Sequence, residues 1–117
     1  MPKVKITVLK KTFHKDLADK YSFHNWRPCD KLKEGQEFLV ENSEMPSGFC
    51  SWAWADIHKY VISLSRGANF MSFKPGVIIA CCTDGIRPVI FKIERLEEMK
   101  LFKEEELKCT KKPGNGS

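Results

Sequence analysis

The residues of this chain best suited to chemistry are its cysteines. Five are present, Cys29, Cys50, Cys81, Cys82 and Cys109, and an odd number argues against a fully paired disulfide framework. A thiolate is both a sulfur nucleophile and a soft metal ligand. Cys50 stands in "GFCSWAWADIHKY", residues 48–60, immediately before the expected start of a helix. There the unpaired amides and the positive end of the helix dipole favour a thiolate. Cys29 follows Arg27 and Pro28 in an irregular stretch, a polar and movable setting. Cys81 and Cys82 end an apolar run just before "TDG", and functional groups are commonly presented at such strand ends and turns.

Spacing alone does not define a zinc site, because no C-x-x-C knuckle is present. Only folding would bring the thiols at 29, 50, 81 and 82 together. Neighbouring side chains of a regular strand point to opposite faces, so one ion takes both Cys81 and Cys82 only across a bulge. The simpler expectation is that one of them fills the core and the other faces Cys50. His14 or His24 could complete a mixed nitrogen–sulfur set with Cys29 and Cys50. Against this stand the plainer roles of a solvated histidine and of a buried cysteine as a small hydrophobe. Asp84 is a further candidate, although an Asp-Gly pair also favours a turn by itself.

The tryptophans sharpen the picture. Trp52 and Trp54 lie about 200° apart around a helix, so both cannot enter one core stripe. Trp54 fits the stripe, which leaves Trp52 to cover either the thiols or a neighbouring loop.

These groups need elements to position them. Val4, Ile6 and Val8 alternate with Lys3, Lys5 and Thr7, the period of a strand with one wet face. Residues 14–21 read as a short helix, and residues 22–36 as an irregular loop broken by proline and glycine. "EFLVE", residues 37–41, alternates again. Trp54, Ile57, Val61 and Leu64 share one face of a helix over about 51–66, with Ser51 as its cap and Gly67 as its left-handed end. "VIIACC" and "IRPVIFKIERL" form a hairpin around residues 83–85. The first of these strands is apolar throughout, which predicts a central strand covered on both faces. In the second, Val89, Phe91 and Ile93 point inward, and Pro88 belongs at an edge or bulge. The expected architecture is a single small α+β domain over residues 1–98. It is a mainly antiparallel sheet of three to five strands with the main helix packed on one face. Residues 99–117 form a charged C-terminal extension in which Cys109 is a bystander and the end is expected to be disordered.

At 117 residues, with 42% hydrophobic and 30% charged residues, the chain is sized for one core that needs no staple. No run of about 18 apolar residues occurs, so no membrane-spanning helix is expected. The start "MPKVKITVLKK" lacks the apolar centre of a signal peptide, which points to a reducing, cytoplasmic setting with free thiols. Net charge is +5, with lysines at 3, 5, 10, 11, 15 and 20. A nucleic-acid partner is disfavoured, because the basic residues are not interleaved with aromatic stacking platforms.

The blocks "VKITVLKKTFHKDLA", "EGQEF", "GFCSWAWADIHKYV" and "ACCTDGIRPVIFKIERL" resemble a small prokaryotic family of roughly hundred-residue proteins found chiefly in anaerobes. The resemblance spans about residues 3–98. It implies that the cysteines at 29, 50, 81 and 82 belong together, and it implies no reaction, substrate or cofactor. In that family the stretch around the first of these cysteines usually reads Pro-Cys-Pro, whereas here Asp30 follows Pro28 and Cys29 in place of the second proline.

Three functions follow as expectations. The first is a thiolate site binding a metal ion or iron–sulfur centre through Cys29, Cys50 and Cys81 or Cys82, with His14 as an added ligand and Trp52 as cover. Zinc, copper(I), iron or an iron–sulfur cluster suits such ligands. The second is a metal-free thiol redox protein or enzyme, with Cys50 attacking, Cys29 or Cys82 resolving, and a redox or small-molecule partner. The third is a basic binding module without catalysis.

Overall fold

Four strands and two helices follow from the pattern. The computed structural model describes residues 3–96, in the order β1 (Val4–Lys11), α1 (Lys15–Tyr21), β2 (Glu37–Val40), α2 (Ser51–Ser65), β3 (Val77–Cys81) and β4 (Val89–Arg95). The strands form one antiparallel sheet in the order β2-β1-β4-β3. The fold is thus the small single α+β domain that the residue pattern predicts. The charged C-terminal extension, with Cys109, lies outside the described residues.

Strand parity sets the inner face of the sheet. Ile6 lies opposite Phe38 on one side and Ile93 on the other, and Ile93 opposite Ile78. Directly paired residues share a face, so these side chains form one apolar row across the sheet. Val8 and Phe91 continue the next row. The row at one end consists of Lys11, Val89 and, beyond β3, Cys82, whose N–H donates to the Val89 carbonyl at 3.1 Å. At the opposite end Arg95 pairs with Val4. The inner face therefore carries a thiol at one end and a guanidinium at the other.

α2 covers this face. Ala53, Ile57, Val61 and Leu64 are buried against the sheet, and Phe49 wedges between Phe38, Phe91 and Trp54 with ring centroids 4.9, 5.5 and 6.1 Å away. Ala53 takes the buried first-turn position, and Trp54 is only half-buried. At the helix end, Gly67 adopts φ +95° and its N–H bonds the Leu64 carbonyl at 3.1 Å, the expected left-handed stop. Arg95 Nη1 donates to the carbonyls of Leu64 and Ala68, each at 2.9 Å, and Nη2 to Asn69 Oδ1 at 2.9 Å. A cation at the negative end of the helix dipole fixes α2 along the sheet.

The position of β3 departs from expectation. Its unbroken apolar sequence predicted a central strand, yet it is an edge strand, with Ile79 40% exposed. An apolar outward face does not require a covering layer, since much of any protein surface is apolar. The central places belong to β1 and β4, and Pro88 stands just before β4, where its missing N–H costs no ladder bond.

Candidate functional site: a thiol cleft at the start of α2

The local fold at the head of α2 differs from the reading of the sequence by one residue. Cys50, not Ser51, is the N-cap, in extended conformation with φ −80° and ψ 123°. Its carbonyl accepts the first helical bond, from Trp54 N–H at 2.9 Å. No side chain caps the helix, and its first turn carries no acidic residue. The positive end of α2 thus opens next to Cys50 with no carboxylate from its own first turn, while Asp30 and Asp84 line the cleft beside it.

A cleft of about 410 Å³ lies at this end of the domain. Cys50 and Trp52 contribute from α2, Cys82 and Arg87 from the β3–β4 connection, and Trp26 and Cys29 from the irregular strap of residues 22–36. Thiols distant in sequence are therefore brought to one cavity. Cys82 is buried and accepts the Val89 N–H on its sulfur at 3.3 Å, while Cys29 and Cys50 are half-buried. All four described cysteines are free thiols.

Cys81 does not share the cleft. Parity turns it to the face opposite Cys82, where it is exposed rather than filling the core. His14 does not line the cleft either; it is exposed at the head of α1, and its backbone N–H bonds the Ile86 carbonyl at 2.7 Å. His24 packs edge-on against Trp26, and His58 Nε2 meets the Ser43 carbonyl at 3.2 Å; neither histidine lines the cleft. Among the described residues, no three His, Cys, Asp or Glu side chains are arranged to hold one metal ion.

Trp52 occupies the rim, 64% exposed, and is nevertheless held in place. Its Nε1–H donates to Thr83 Oγ1 at 3.2 Å, and Thr83 donates through both N–H and hydroxyl to the Asp56 carboxylate. Asp56 lies one turn beyond Trp52 on α2, so the helix itself locks the indole over the cleft.

Asp84 makes the turn that follows Cys82. Its Oδ1 accepts the N–H groups of Ile86 and Arg87 at 3.0 and 3.1 Å, and its Oδ2 accepts Arg87 Nε at 3.2 Å. Burial pushes this carboxyl up, but those hydrogen bonds and the charge of Arg87 outweigh it, leaving the pKa below the ordinary aspartate value. Asp84 is therefore an anion fully engaged by its own turn.

One device was hidden in the sequence. A β-bulge at Leu9 shifts the β1–β4 register between Val8 and Lys10, so that Lys11 pairs with inward-facing Val89. Lys11 Nζ consequently reaches the Cys29 carbonyl at 2.8 Å. The lysine-rich stretch thus supplies a structural anchor. On the open face of the sheet, Lys3, Lys5 and Lys92 each lie beside a carboxylate, from Glu41, from Glu37 and Glu94, and from Glu94 respectively.

Among the described residues, no helix is long and apolar enough to cross a membrane. Compared with protein-family models, curated proteins and solved structures, the chain matches none. The resemblance read from its sequence motifs therefore rests on those motifs alone.

Proposed function

We propose that the cleft is a centre of thiol–disulfide chemistry, with Cys50 as the attacking thiolate and Cys29 as its resolving partner. One observation carries this reading. Cys50 caps α2 through its backbone without committing its thiol to the cap, and it opens on a cleft shared with Cys29 and Cys82. Trp52 supplies an apolar wall for the substrate, and Cys82, held by Val89, a buried one.

The steps balance as ordinary exchange. The Cys50 thiolate attacks one sulfur of a disulfide R–S–S–R′, forming Cys50–S–S–R and expelling R′S⁻, which takes up a proton. The Cys29 thiolate then attacks Cys50 Sγ and expels RS⁻, leaving a Cys29–Cys50 disulfide. The substrate has gained the electron pair that the two cysteines lost, and an external dithiol restores them. Cys29 stands on the irregular strap that lines the same cleft as Cys50, so the bond closes across that cavity without rearranging a helix or strand. A reducing cytoplasm is the setting this chemistry fits.

The test is the reaction of the native protein with an aromatic disulfide whose released thiolate absorbs light. A fast phase is expected that vanishes in Cys50→Ala and persists in Cys81→Ala. Equal fast phases in wild type and Cys50→Ala would overturn the proposal.

A second reading has one observation in its favour: three thiols from three separate elements line the same cleft. A soft ion such as zinc, copper(I) or iron would draw Cys29, Cys50 and Cys82 together by moving the strap. Anaerobic titration with zinc or copper(I) tests it. Protection of these three thiols from alkylation at one equivalent supports the reading, and undiminished alkylation removes it.

A further inference from the structure

The strap of residues 22–36 has neither helix nor strand, so the place of Cys29 is set by whatever grips the strap. Two cations do so. Lys11 holds the Cys29 carbonyl through Nζ and, through its backbone N–H, the Glu34 carboxylate at 2.9 Å. Arg87 takes hold just before Cys29. Its guanidinium carbon lies 5.1 Å from the centroid of the Trp26 ring, and Nη1 donates to the Arg27 carbonyl at 3.1 Å, across 60 residues of sequence. Trp26 is itself fixed, its Nε1–H donating to Ser22 Oγ at 2.7 Å.

Arg87 is in turn aligned by Asp84, whose second oxygen accepts Nε and whose first fixes the Arg87 backbone. One planar group thus makes three different contacts, to a carboxylate, to a carbonyl and over an indole ring. That combination is peculiar to a guanidinium. A surface Asp–Arg pair alone contributes little to stability. Here the pair reaches across the cleft to the segment that carries a thiol.

We propose that Arg87, aligned by Asp84, is a positioning residue of the thiol centre, clasping Trp26 and the Arg27 carbonyl so that Cys29 is presented to Cys50. The inference rests on the reading of Cys50 and Cys29 as a redox pair. A group on a slack chain reacts at an effective concentration of about millimolar, whereas a positioned one is favoured by orders of magnitude more. Loss of one of the two anchors lowers the effective concentration of Cys29 at Cys50 by about tenfold, and the equilibrium for forming their bond falls in proportion.

The experiment equilibrates the full chain with reduced and oxidised glutathione, quenches by alkylation and measures the Cys29–Cys50 bond by mass spectrometry. Oxidised glutathione takes up two electrons and leaves as two thiols, while Cys29 and Cys50 lose their protons and join. The equilibrium constant is expected to fall about tenfold in Arg87→Met and about threefold in Arg87→Lys, which keeps the charge but not the fork. Asp84→Asn, which unseats Arg87 without touching the strap, is expected to lower it as well. It carries the test should Arg87→Met lose its fold. A wild-type constant in the folded variants would overturn the clasp while leaving the redox pair standing. No Cys29–Cys50 bond in the wild-type protein would overturn the pair and the clasp together.

Discussion

Replacing Arg95 by methionine keeps the aliphatic length of the side chain and removes its guanidinium from the far end of α2. Arg95 is 6% exposed and makes three hydrogen bonds of 2.9 Å, to Leu64 O, Ala68 O and Asn69 Oδ1. Bonds to a charged group are worth about 1.5–3 kcal/mol each, against which stands the cost of burying the cation. Two acceptors keep other partners, since Gly67 N–H bonds Leu64 O and Gly76 N–H bonds Asn69 Oδ1. The remaining loss is the Ala68 carbonyl and the grip on the helix end, about 2–3 kcal/mol in all. With a urea slope of about 1.5 kcal/mol/M, the unfolding midpoint should fall by about 1.3–2 M. Cys50 sits at the other end of the 15-residue helix, about 22 Å away at 1.5 Å per residue. Its reaction with an aromatic disulfide under native conditions should therefore keep its wild-type rate. A loss below about 0.5 kcal/mol would refute the reasoning on how α2 is held. A slowed Cys50 would refute the separation of scaffold from site.

Further substitutions test the scaffold and the turn. Ile57 is fully buried between α2 and the sheet, so Ile57→Ala should cost about 3–4 kcal/mol in urea unfolding through the cavity it leaves. Gly67→Ala meets no atom within 4 Å but must adopt φ +95°, so a loss of about 1 kcal/mol from backbone strain alone is expected in the same assay. Because Asp84 has a lowered folded pKa, its contribution is fully present above the unfolded aspartate value of about 3.9 and is lost as pH falls through the folded value. Stability measured from pH 5 downward should decline less steeply in Asp84→Asn than in the wild-type protein.

Much of the frame was legible because period carries burial. The alternation of Val4, Ile6 and Val8 and that of Val89, Phe91 and Ile93 fix which face of each strand is inner, and Gly67 marks where α2 stops. The order of strands was less legible. Apolar content placed β3 at the centre, but position in a sheet depends on pairing partners, which the composition of one strand does not encode. Parity allowed only one of Cys81 and Cys82 on the inner face, yet which one depends on register, and register assigns Cys82. The anchoring of the cleft was invisible. Lys11 reaches Cys29 only because of a bulge, and Arg87 meets Trp26 only through a contact that no local pattern announces. Trp52 signalled itself by falling off the core stripe, but the Thr83–Asp56 support that holds it is a tertiary pairing.

The most direct measurement of the central claim is a map of which sulfurs join when the reduced, full-length protein meets a limiting amount of small disulfide. Peptide mass mapping should find Cys29 bonded to Cys50 as the first intramolecular product, with Cys82 still reduced. Preferential oxidation of exposed Cys81, with Cys50 left as a free thiol, would contradict the account.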